Sequence, residues 1–386
     1  MEYPENERTS RREQIDVNKM GDSLPMGAMW GLILALLSFL LVLICVVSVR
    51  MITREARTPG DVTDPSLPVE PTDPIEPVDP ADPVTPSDST TPILPGNLPG
   101  NPPKPQSFIM DKTAQTQTIL SYTRDTGTGV HSQYAIFVDL NNNTVLADLR
   151  GDEIMFPASM TKVMTLLVAC ENLKEGDYDR SVAMSADIIS AMQRENASGF
   201  GFKAGEVLTV RDLIYAVALE SDCAASIQLA EFVAGSHEAF VQMMNEKCKD
   251  LGLTRTHFVN ATGLHHDNHY TTCREMASIM AAAVANETVR NVMSQKSYVS
   301  STNVHGRVTF RSTFFVDVLE GGGSHFTLPA GSRVVAAKTG STDEAGKCLV
   351  CYIESGNNGY VIVTGNAKTA NLYCSDYTSI YKDYLH

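Results

Sequence analysis

The spacing of apolar residues changes along the second half of the chain, and each spacing indicates a type of secondary structure. Tyr134–Val138 and Thr144–Ala147 are apolar runs that flank three asparagines, a pattern typical of two strands joined by a turn. Near the end of the chain, the same pattern predicts three more short strands, Val334–Ala337, Cys348–Ile353 and Tyr360–Val363. Strands are therefore expected at both ends of this region.

Between these two groups of strands, apolar residues recur at helical spacing. The pattern predicts one long helix over Val210–Ala234, another over Ala239–Leu251 and a last helix over Asn371–Leu385. Strands at both ends around central helices are typical of a mixed α/β (α+β) domain, in which one antiparallel sheet built from the terminal segments packs on a helical part. We expect this domain to span residues 108–386.

A long apolar run lies near the start of the chain. Ala28–Val49 contains 22 residues without a charge, and as a helix it would span roughly 33 Å, close to the hydrocarbon core of about 30 Å. A cleaved signal peptide would have a shorter apolar region and a small-x-small site, but here Arg50 follows. The run predicts a transmembrane helix over 28–49. Basic residues lie on both sides of this run, so their distribution only slightly favours a cytoplasmic location for residues 1–27.

Prolines dominate the segment that follows. Residues 51–107 hold 15 of the 19 prolines, and from Pro65 to Pro86 a proline stands at every third position, which is the polyproline II repeat. Eight carboxylates and no Lys or Arg lie between residues 58 and 103. Such a segment cannot pack a core, so residues 50–107 are predicted to form an extended linker. A proline ligand for a recognition module is the alternative.

Charge and cysteine content narrow the possible partners. The formal net charge of −15, without a basic cluster, argues against a nucleic-acid partner. Of eight cysteines, seven lie in the predicted domain, and an odd number cannot all pair within one chain. Cys348 and Cys351 have the spacing of half a zinc site, but their apolar neighbours indicate two positions in a buried strand.

One motif places a nucleophile near a base. Pro157 stands where a helix can begin, and Ser159 and Lys162 follow three positions apart, so both side chains would share one face of the first turn. A lysine amine that is partly shielded from water can lose its proton and activate a serine hydroxyl. Alone, however, the S-x-x-K pattern often arises by chance on solvated helices.

A second motif supports the first. The predicted strand near the end of the domain leads into Lys338, Thr339, Gly340 and Ser341. The glycine lets a ligand lie against the strand, while the lysine and threonine offer a cation and a hydroxyl for a carboxylate. S-x-x-K, S-D-N and K-T-G together are the mark of penicillin-binding proteins and class A β-lactamases, and the first and last of these motifs occur here in that order.

With both motifs in place, the chain resembles the serine-type D-alanyl-D-alanine carboxypeptidases, the low-molecular-mass penicillin-binding proteins of peptidase family S11. Segments 202–213, 242–258, 260–264 and 269–272 are also similar to this family, and the likeness covers roughly residues 130–386. The resemblance implies the fold shared by penicillin-binding proteins and β-lactamases, without a cofactor or metal. It also implies a peptidoglycan stem peptide ending in D-Ala-D-Ala as substrate and β-lactams as inhibitors.

The resemblance assigns roles to individual residues. Ser159 would attack the carbonyl between two D-alanines with Lys162 as base, and Ser221 would pass a proton to the leaving amine. Backbone N–H groups of Ser159 and Ser341 would stabilise the oxyanion. Substrate-binding positions are implied for five residues: Lys338, Thr339, Gly340, Ser341 and Cys223.

One of these residues departs from the family pattern. The middle motif is usually S-x-N, whereas Ser221-Asp222-Cys223 has a cysteine where the asparagine would bind the substrate backbone and contact Lys162. We expect the loss of this carboxamide to alter substrate choice or rate, although a thiol can still donate a weak hydrogen bond.

Other functions are compatible with the same motifs. A β-lactamase would need a glutamate-activated water, but the nearest match to E-x-x-L-N, Glu287–Asn291, lacks the leucine. A wall scaffold inactivated through the cysteine is the non-enzymatic alternative. An endopeptidase that cleaves crosslinks is not separated from the carboxypeptidase by sequence. His265, His266 and His269 with Asp267 suggest a metal site, which their loop setting disfavours.

Overall fold

The computed structural model of the chain describes residues 130–301, 306–320 and 326–384. The predicted cytoplasmic tail, transmembrane helix and linker, residues 1–27, 28–49 and 50–107, lie outside the described residues. None of the helices in the described part of the chain combines the length and the apolar content that a membrane span requires.

The described residues alternate between strands and helices. In chain order the strands are β1 (Tyr134–Asp139), β2 (Thr144–Leu149), β3 (Ser181–Ala183), β4 (Val207–Thr209), β5 (Ser297–Val299), β6 (Thr309–Arg311), β7 (Ser332–Thr342), β8 (Gly346–Ser355) and β9 (Asn358–Ala367). The α-helices are α1 (Lys162–Asn172), α2 (Ala186–Arg194), α3 (Val210–Leu219), α4 (Cys223–Ala234), α5 (His237–Asp250), α6 (Cys273–Ala285), α7 (Glu287–Met293) and α8 (Ala370–Tyr384). Two short 3₁₀ helices, Ala158–Thr161 and Glu175–Asp177, and a π-helix, Thr313–Glu320, complete the set.

The five strands nearest the domain ends form one antiparallel sheet. Its order is β2-β1-β9-β8-β7, and β1 pairs with β9 from Tyr134 to Asp139. The predicted hairpin is confirmed, and so is the sheet built from both terminal segments. Strand β7 is at the edge of the sheet, so one side of its backbone is not paired with another strand of the sheet.

Two apolar layers cover the sheet. Val350 packs in the larger layer with the central helices, whereas Leu349 packs in the smaller layer with Tyr377 of α8. Cys348 and Cys351 are three positions apart and therefore belong to opposite layers, both fully buried. Their predicted place in a buried strand is confirmed, and all seven cysteines of the described residues are buried free thiols.

One predicted helix is wrong. Instead of a single helix over Val210–Ala234, the chain forms α3 and α4. Between them Ser221 has a φ of 56°, which a continuous right-handed helix does not allow. Asp222 then caps α4, because its side chain accepts a hydrogen bond from Ala225 N at 2.7 Å. The break places Ser221 at a helix junction instead of on a helix face.

Helix α1 lies within the helical part of the domain. Its residues from Lys162 to Cys170 are all buried, which is typical of a core helix. Lys162, the first residue of this helix, is therefore shielded from water.

Candidate active site

The S-x-x-K motif forms a turn that leads into α1. Ser159 is half-buried in the 3₁₀ helix, and Lys162 is fully buried. Lys162 Nζ lies 3.1 Å from Ser159 Oγ. A shielded amine at hydrogen-bond distance from a partly accessible hydroxyl has the geometry of a base and its nucleophile.

Two groups from other segments also contact the Lys162 amine. Nζ donates a hydrogen bond to the Thr262 carbonyl oxygen at 2.6 Å and lies 3.4 Å from Cys223 Sγ. Cys223 is thus near Lys162, where the family pattern places a carboxamide. Since sulfur is a weak acceptor, the Thr262 carbonyl is the stronger of these two partners. The sequence did not single out Thr262, although the N-A-T-G-L stretch around it belongs to the segments similar to the family.

A second buried lysine joins the K-T-G strand to the middle motif. Lys338 Nζ donates to Ser221 Oγ at 2.8 Å and to the Thr339 carbonyl oxygen at 3.1 Å. Burial, and next the positive charge of Lys162, lowers the pKa of Lys338 well below its ordinary value. An anion bound to Lys338 would oppose this shift, so the position suits the carboxylate of a ligand.

Strand β7 comes close to the Ser159 turn because position 340 is glycine. A Cβ at Gly340 would lie 2.8 Å from the Pro157 carbonyl oxygen and 3.2 Å from Met160 N. The 2.8 Å distance to a backbone oxygen is too short for a Cβ, so a larger residue would push the strand away from the nucleophile.

The residues on either side of Gly340 have different environments. Thr339 is half-buried, and its Oγ1 lies 3.1 Å from the Oγ1 of Thr313, at the start of the π-helix. Ser341 is exposed and accepts a hydrogen bond from Lys347 Nζ at 2.7 Å. No pattern in the sequence pointed to Thr313 or Lys347.

Asp222, the middle residue of S-D-C, organises the surrounding loop. Besides capping α4, it accepts a hydrogen bond from Phe200 N at 2.7 Å, and burial raises its pKa. Ser198, in the same loop, lies 3.6 Å from Cys223 Sγ through its Oγ. Asp222 therefore holds the segment that packs on the cysteine, a role that the motif alone did not indicate.

His269 is hydrogen-bonded to the turn that carries Ser159. Its Nδ1 accepts from Val259 N at 3.2 Å, so Nε2 carries the proton and donates to Thr161 Oγ1 at 2.7 Å. Burial lowers the pKa of His269 to about 3, so the ring is neutral at physiological pH. His265 and His266, which the sequence grouped with it as possible metal ligands, are exposed.

Most of the residues predicted for the site thus come together. Direct contacts link Ser159 to Lys162, Lys162 to Cys223 and Lys338 to Ser221. Gly340 lies against the Ser159 turn, and Thr339 and Ser341 flank it on strand β7.

A known protein family matches the greater part of the chain. The family model of D-alanyl-D-alanine carboxypeptidases, peptidase family S11, matches residues 121–369. This chain belongs to that family. The matched region contains the three motifs described above.

Two relatives illustrate the extent of the similarity. D-alanyl-D-alanine carboxypeptidase DacF of Bacillus subtilis is 32% identical over 247 residues, which cover 61% of this chain and 57% of the relative. D-alanyl-D-alanine carboxypeptidase DacA of Escherichia coli K12 is 29% identical over 244 residues, covering 62% and 57%. The chain therefore spans little more than half the length of these relatives.

The fold is also similar to that of a solved bacterial enzyme. A serine-to-alanine variant of the Streptomyces K15 DD-transpeptidase is 25% identical to this chain, with a TM-score of 0.59. The matched region covers 66% of this chain and 97% of the transpeptidase chain. The match supports the mixed α/β fold with an antiparallel sheet. Other solved variants of this transpeptidase replace a cysteine two positions after that serine. Ser221 and Cys223 have the same spacing.

Proposed function

We propose that this chain is a serine D-alanyl-D-alanine carboxypeptidase that acts through an acyl-enzyme on Ser159. The observation that carries the proposal is the 3.1 Å contact between Ser159 Oγ and the buried Lys162 Nζ. Membership of the D-alanyl-D-alanine carboxypeptidase family supports it. Both the activity and the residue roles below belong to the proposal.

Acylation begins at Ser159. Its Oγ attacks the carbonyl carbon between the two D-alanines and transfers its proton to the neutral Lys162 amine. The backbone N–H groups of Ser159 and Ser341 donate to the oxygen that becomes negative. The contact between β7 and the Ser159 turn at Gly340 supports this pairing of N–H groups, because it keeps the two segments adjacent.

Collapse of the intermediate then releases the terminal D-alanine. The C–N bond breaks, and the proton that Lys162 took from Ser159 passes through Ser221 to the leaving amine, so that both residues return to their starting state. The Ser221 hydroxyl meanwhile accepts a hydrogen bond from Lys338 Nζ at 2.8 Å. The terminal carboxylate of the substrate binds Lys338 and Thr339. Water then attacks the ester on Ser159 and releases the shortened stem peptide with a new carboxylate, which restores the serine.

The same first step explains the proposed inhibitors. A β-lactam contains a strained amide and a carboxylate, so Ser159 can open the ring while Lys338 binds the carboxylate. The leaving nitrogen stays tethered to the acyl group, and the adduct therefore remains on the enzyme longer than the product of a peptide.

The proposed location follows from the segments that precede the domain. An apolar helix over 28–49 would anchor the chain in the cell membrane, and the proline-rich linker would space residues 108–386 from it. The substrate, a peptidoglycan stem peptide, lies outside the membrane, so the catalytic domain is proposed to be extracytoplasmic.

Release of D-alanine tests the proposal. Purified full-length chain is incubated with a peptide ending in D-Ala-D-Ala, and free D-alanine is measured beside turnover of a chromogenic cephalosporin. We expect D-alanine release that Ser159→Ala abolishes. Rapid cephalosporin turnover without D-alanine would indicate a β-lactamase, and no reaction with either compound would favour a scaffold. If the chain also cleaves purified dimeric muropeptides, it has endopeptidase activity as well.

A second activity, acyl transfer to an amine, is favoured by Cys223. A structurally similar DD-transpeptidase carries a cysteine at the same spacing from a serine. The acyl group on Ser159 would then pass to an amino group instead of water. We expect that adding a D-amino acid as acceptor yields an exchange product, and that Cys223→Asn lowers the ratio of exchange to hydrolysis. An unchanged ratio in the variant would rule out this role for the cysteine.

A further inference from the structure

We propose that Asn260 is the positioning residue for Lys162, because it directs the Thr262 carbonyl at the lysine amine where the middle motif supplies no carboxamide. The inference rests on the proposed function, since it concerns the base of that reaction. It assigns a role to a residue that makes no contact with Ser159 or Lys162 among the hydrogen bonds of the described residues.

The partners of Lys162 explain why one carbonyl is so important. Nζ is fully buried, so protein atoms have to accept its hydrogen bonds. Ser159 Oγ is one acceptor, but this oxygen becomes the nucleophile. Cys223 Sγ is a weak acceptor at 3.4 Å. The Thr262 carbonyl, at 2.6 Å, is the shortest of the three contacts, and unlike the Ser159 hydroxyl it is not a reacting group.

Asn260 organises the loop that carries this carbonyl. Its Oδ1 accepts three hydrogen bonds, from Thr262 N at 3.1 Å, Thr262 Oγ1 at 3.0 Å and Gly263 N at 2.7 Å. Its Nδ2 donates to the Leu264 carbonyl oxygen at 2.9 Å. A single carboxamide therefore determines the direction of the peptide planes on both sides of Thr262.

The loop is fixed against the Ser159 turn by other contacts. Gly263 has a φ of 82°, and a Cβ there would lie 1.9 Å from the Ala158 carbonyl oxygen. Thr165 Oγ1 donates to the Ala261 carbonyl oxygen at 2.8 Å, and His237 Nε2 accepts from Ala261 N at 3.0 Å. Both neighbours of Thr262 are held in place by these contacts. Loss of Asn260 would therefore mainly rotate the Thr262 carbonyl away from the Lys162 amine.

The test compares alanine at position 260 with alanine at a matched position. Asn245 is also half-buried and also bonds a backbone segment, since it accepts from Phe258 N at 2.9 Å and donates to the Phe258 carbonyl oxygen at 2.8 Å. It makes no contact with the loop residues 260–264 among its hydrogen bonds. Asn245→Ala therefore reports the cost of losing a structural asparagine.

Acylation of the full-length chain by a fluorescent penicillin is followed at pH 7.5 over a range of penicillin concentrations, well below the unfolding temperature of each variant. We expect Asn260→Ala to lower the second-order acylation constant by about 10- to 100-fold, as misplacement of a catalytic group does. Asn245→Ala should leave it within about threefold of wild type. The loss should appear in the limiting acylation rate and not in the penicillin concentration that gives half of that rate, because the Thr262 carbonyl contacts the proposed base and not the carboxylate site.

A second variant provides a test even if Asn260→Ala fails to fold. Asn260→Asp keeps an oxygen for the three donors and loses only the donor to the Leu264 carbonyl oxygen. Its limiting acylation rate should fall about five- to tenfold, with an unchanged half-saturating penicillin concentration. Asn245→Asp should leave the limiting rate within about threefold of wild type.

The outcomes separate this inference from the proposed function. Equal limiting acylation rates for the variants at 260 and 245 would overturn the inference while leaving an active wild type. Absence of acylation in wild type itself would instead overturn the proposed function, and the inference with it.

Discussion

Replacing His269 should reduce the acid sensitivity of the domain. The ring is 2% exposed, and burial lowers its pKa to about 3, against about 6.5 in an unfolded chain. Between these two pH values, the unfolded chain binds a proton that the folded domain excludes. Stability contributed by the neutral ring is therefore fully present above about pH 6.5 and is lost as the pH falls towards 3.

The magnitude follows from the size of the pKa shift. One pH unit corresponds to about 1.36 kcal/mol per titrating group, so lowering the pH from about 6.5 to 5 should cost about 2 kcal/mol through His269 alone. In His269→Asn, Oδ1 can still accept from Val259 N, but the hydrogen bond to Thr161 Oγ1 is lost. We expect this to cost about 1 to 2 kcal/mol at pH 7.5.

Urea unfolding of the purified full-length chain at pH 7.5 and pH 5 measures both effects. Wild type should lose about 2 kcal/mol more than His269→Asn between the two pH values. His266→Asn is the control, because His266 is exposed. It should follow wild type at both pH values. If His269→Asn shows the same pH dependence as wild type, the buried neutral ring is not a source of acid sensitivity and the reasoning fails.

Two further predictions concern backbone and carboxylate contacts. Gly263→Ala places a Cβ 1.9 Å from the Ala158 carbonyl oxygen, so fluorescent penicillin labelling should fall at least tenfold, and labelling at the wild-type rate would contradict the close approach. Asp376, on α8, is fully buried and accepts from the backbone and side chains of His131 and Ser132. Asp376→Asn puts an N–H donor against these donors, so we expect the free energy of urea unfolding to fall by about 2 to 4 kcal/mol and proteolysis near residue 130 to become faster. An unchanged urea midpoint would refute this prediction.

The strands and the catalytic motifs were the most predictable parts of the chain. The β1–β2 hairpin and strands β7, β8 and β9 consist of apolar, β-branched runs with turn residues between them, so local sequence determines them. The S-x-x-K and K-T-G motifs were recognisable because their spacing is local. Their meeting in one site depends on the sheet, which joins the two ends of the domain.

Other features depend on contacts that a local pattern does not contain. Apolar periodicity continues across residues 219–223, so it predicted one helix where Ser221 adopts a positive φ and Asp222 starts a second helix. The Thr262 carbonyl belongs to the backbone of a loop 100 positions from Lys162, and nothing in a side chain marks it. The sequence placed His269 with two exposed histidines, because burial is a property of the folded domain.

The central claim is that Ser159 becomes covalently acylated. Intact-mass spectrometry of the full-length chain, first with penicillin and then with a peptide ending in D-Ala-D-Ala, tests it directly. With penicillin, we expect one adduct with the mass of the intact penicillin, located on the proteolytic fragment that contains Ser159 and absent in Ser159→Ala. With the D-Ala-D-Ala substrate, we expect the unmodified chain to release D-alanine. No adduct on wild type, or the same adduct on Ser159→Ala, would contradict the account.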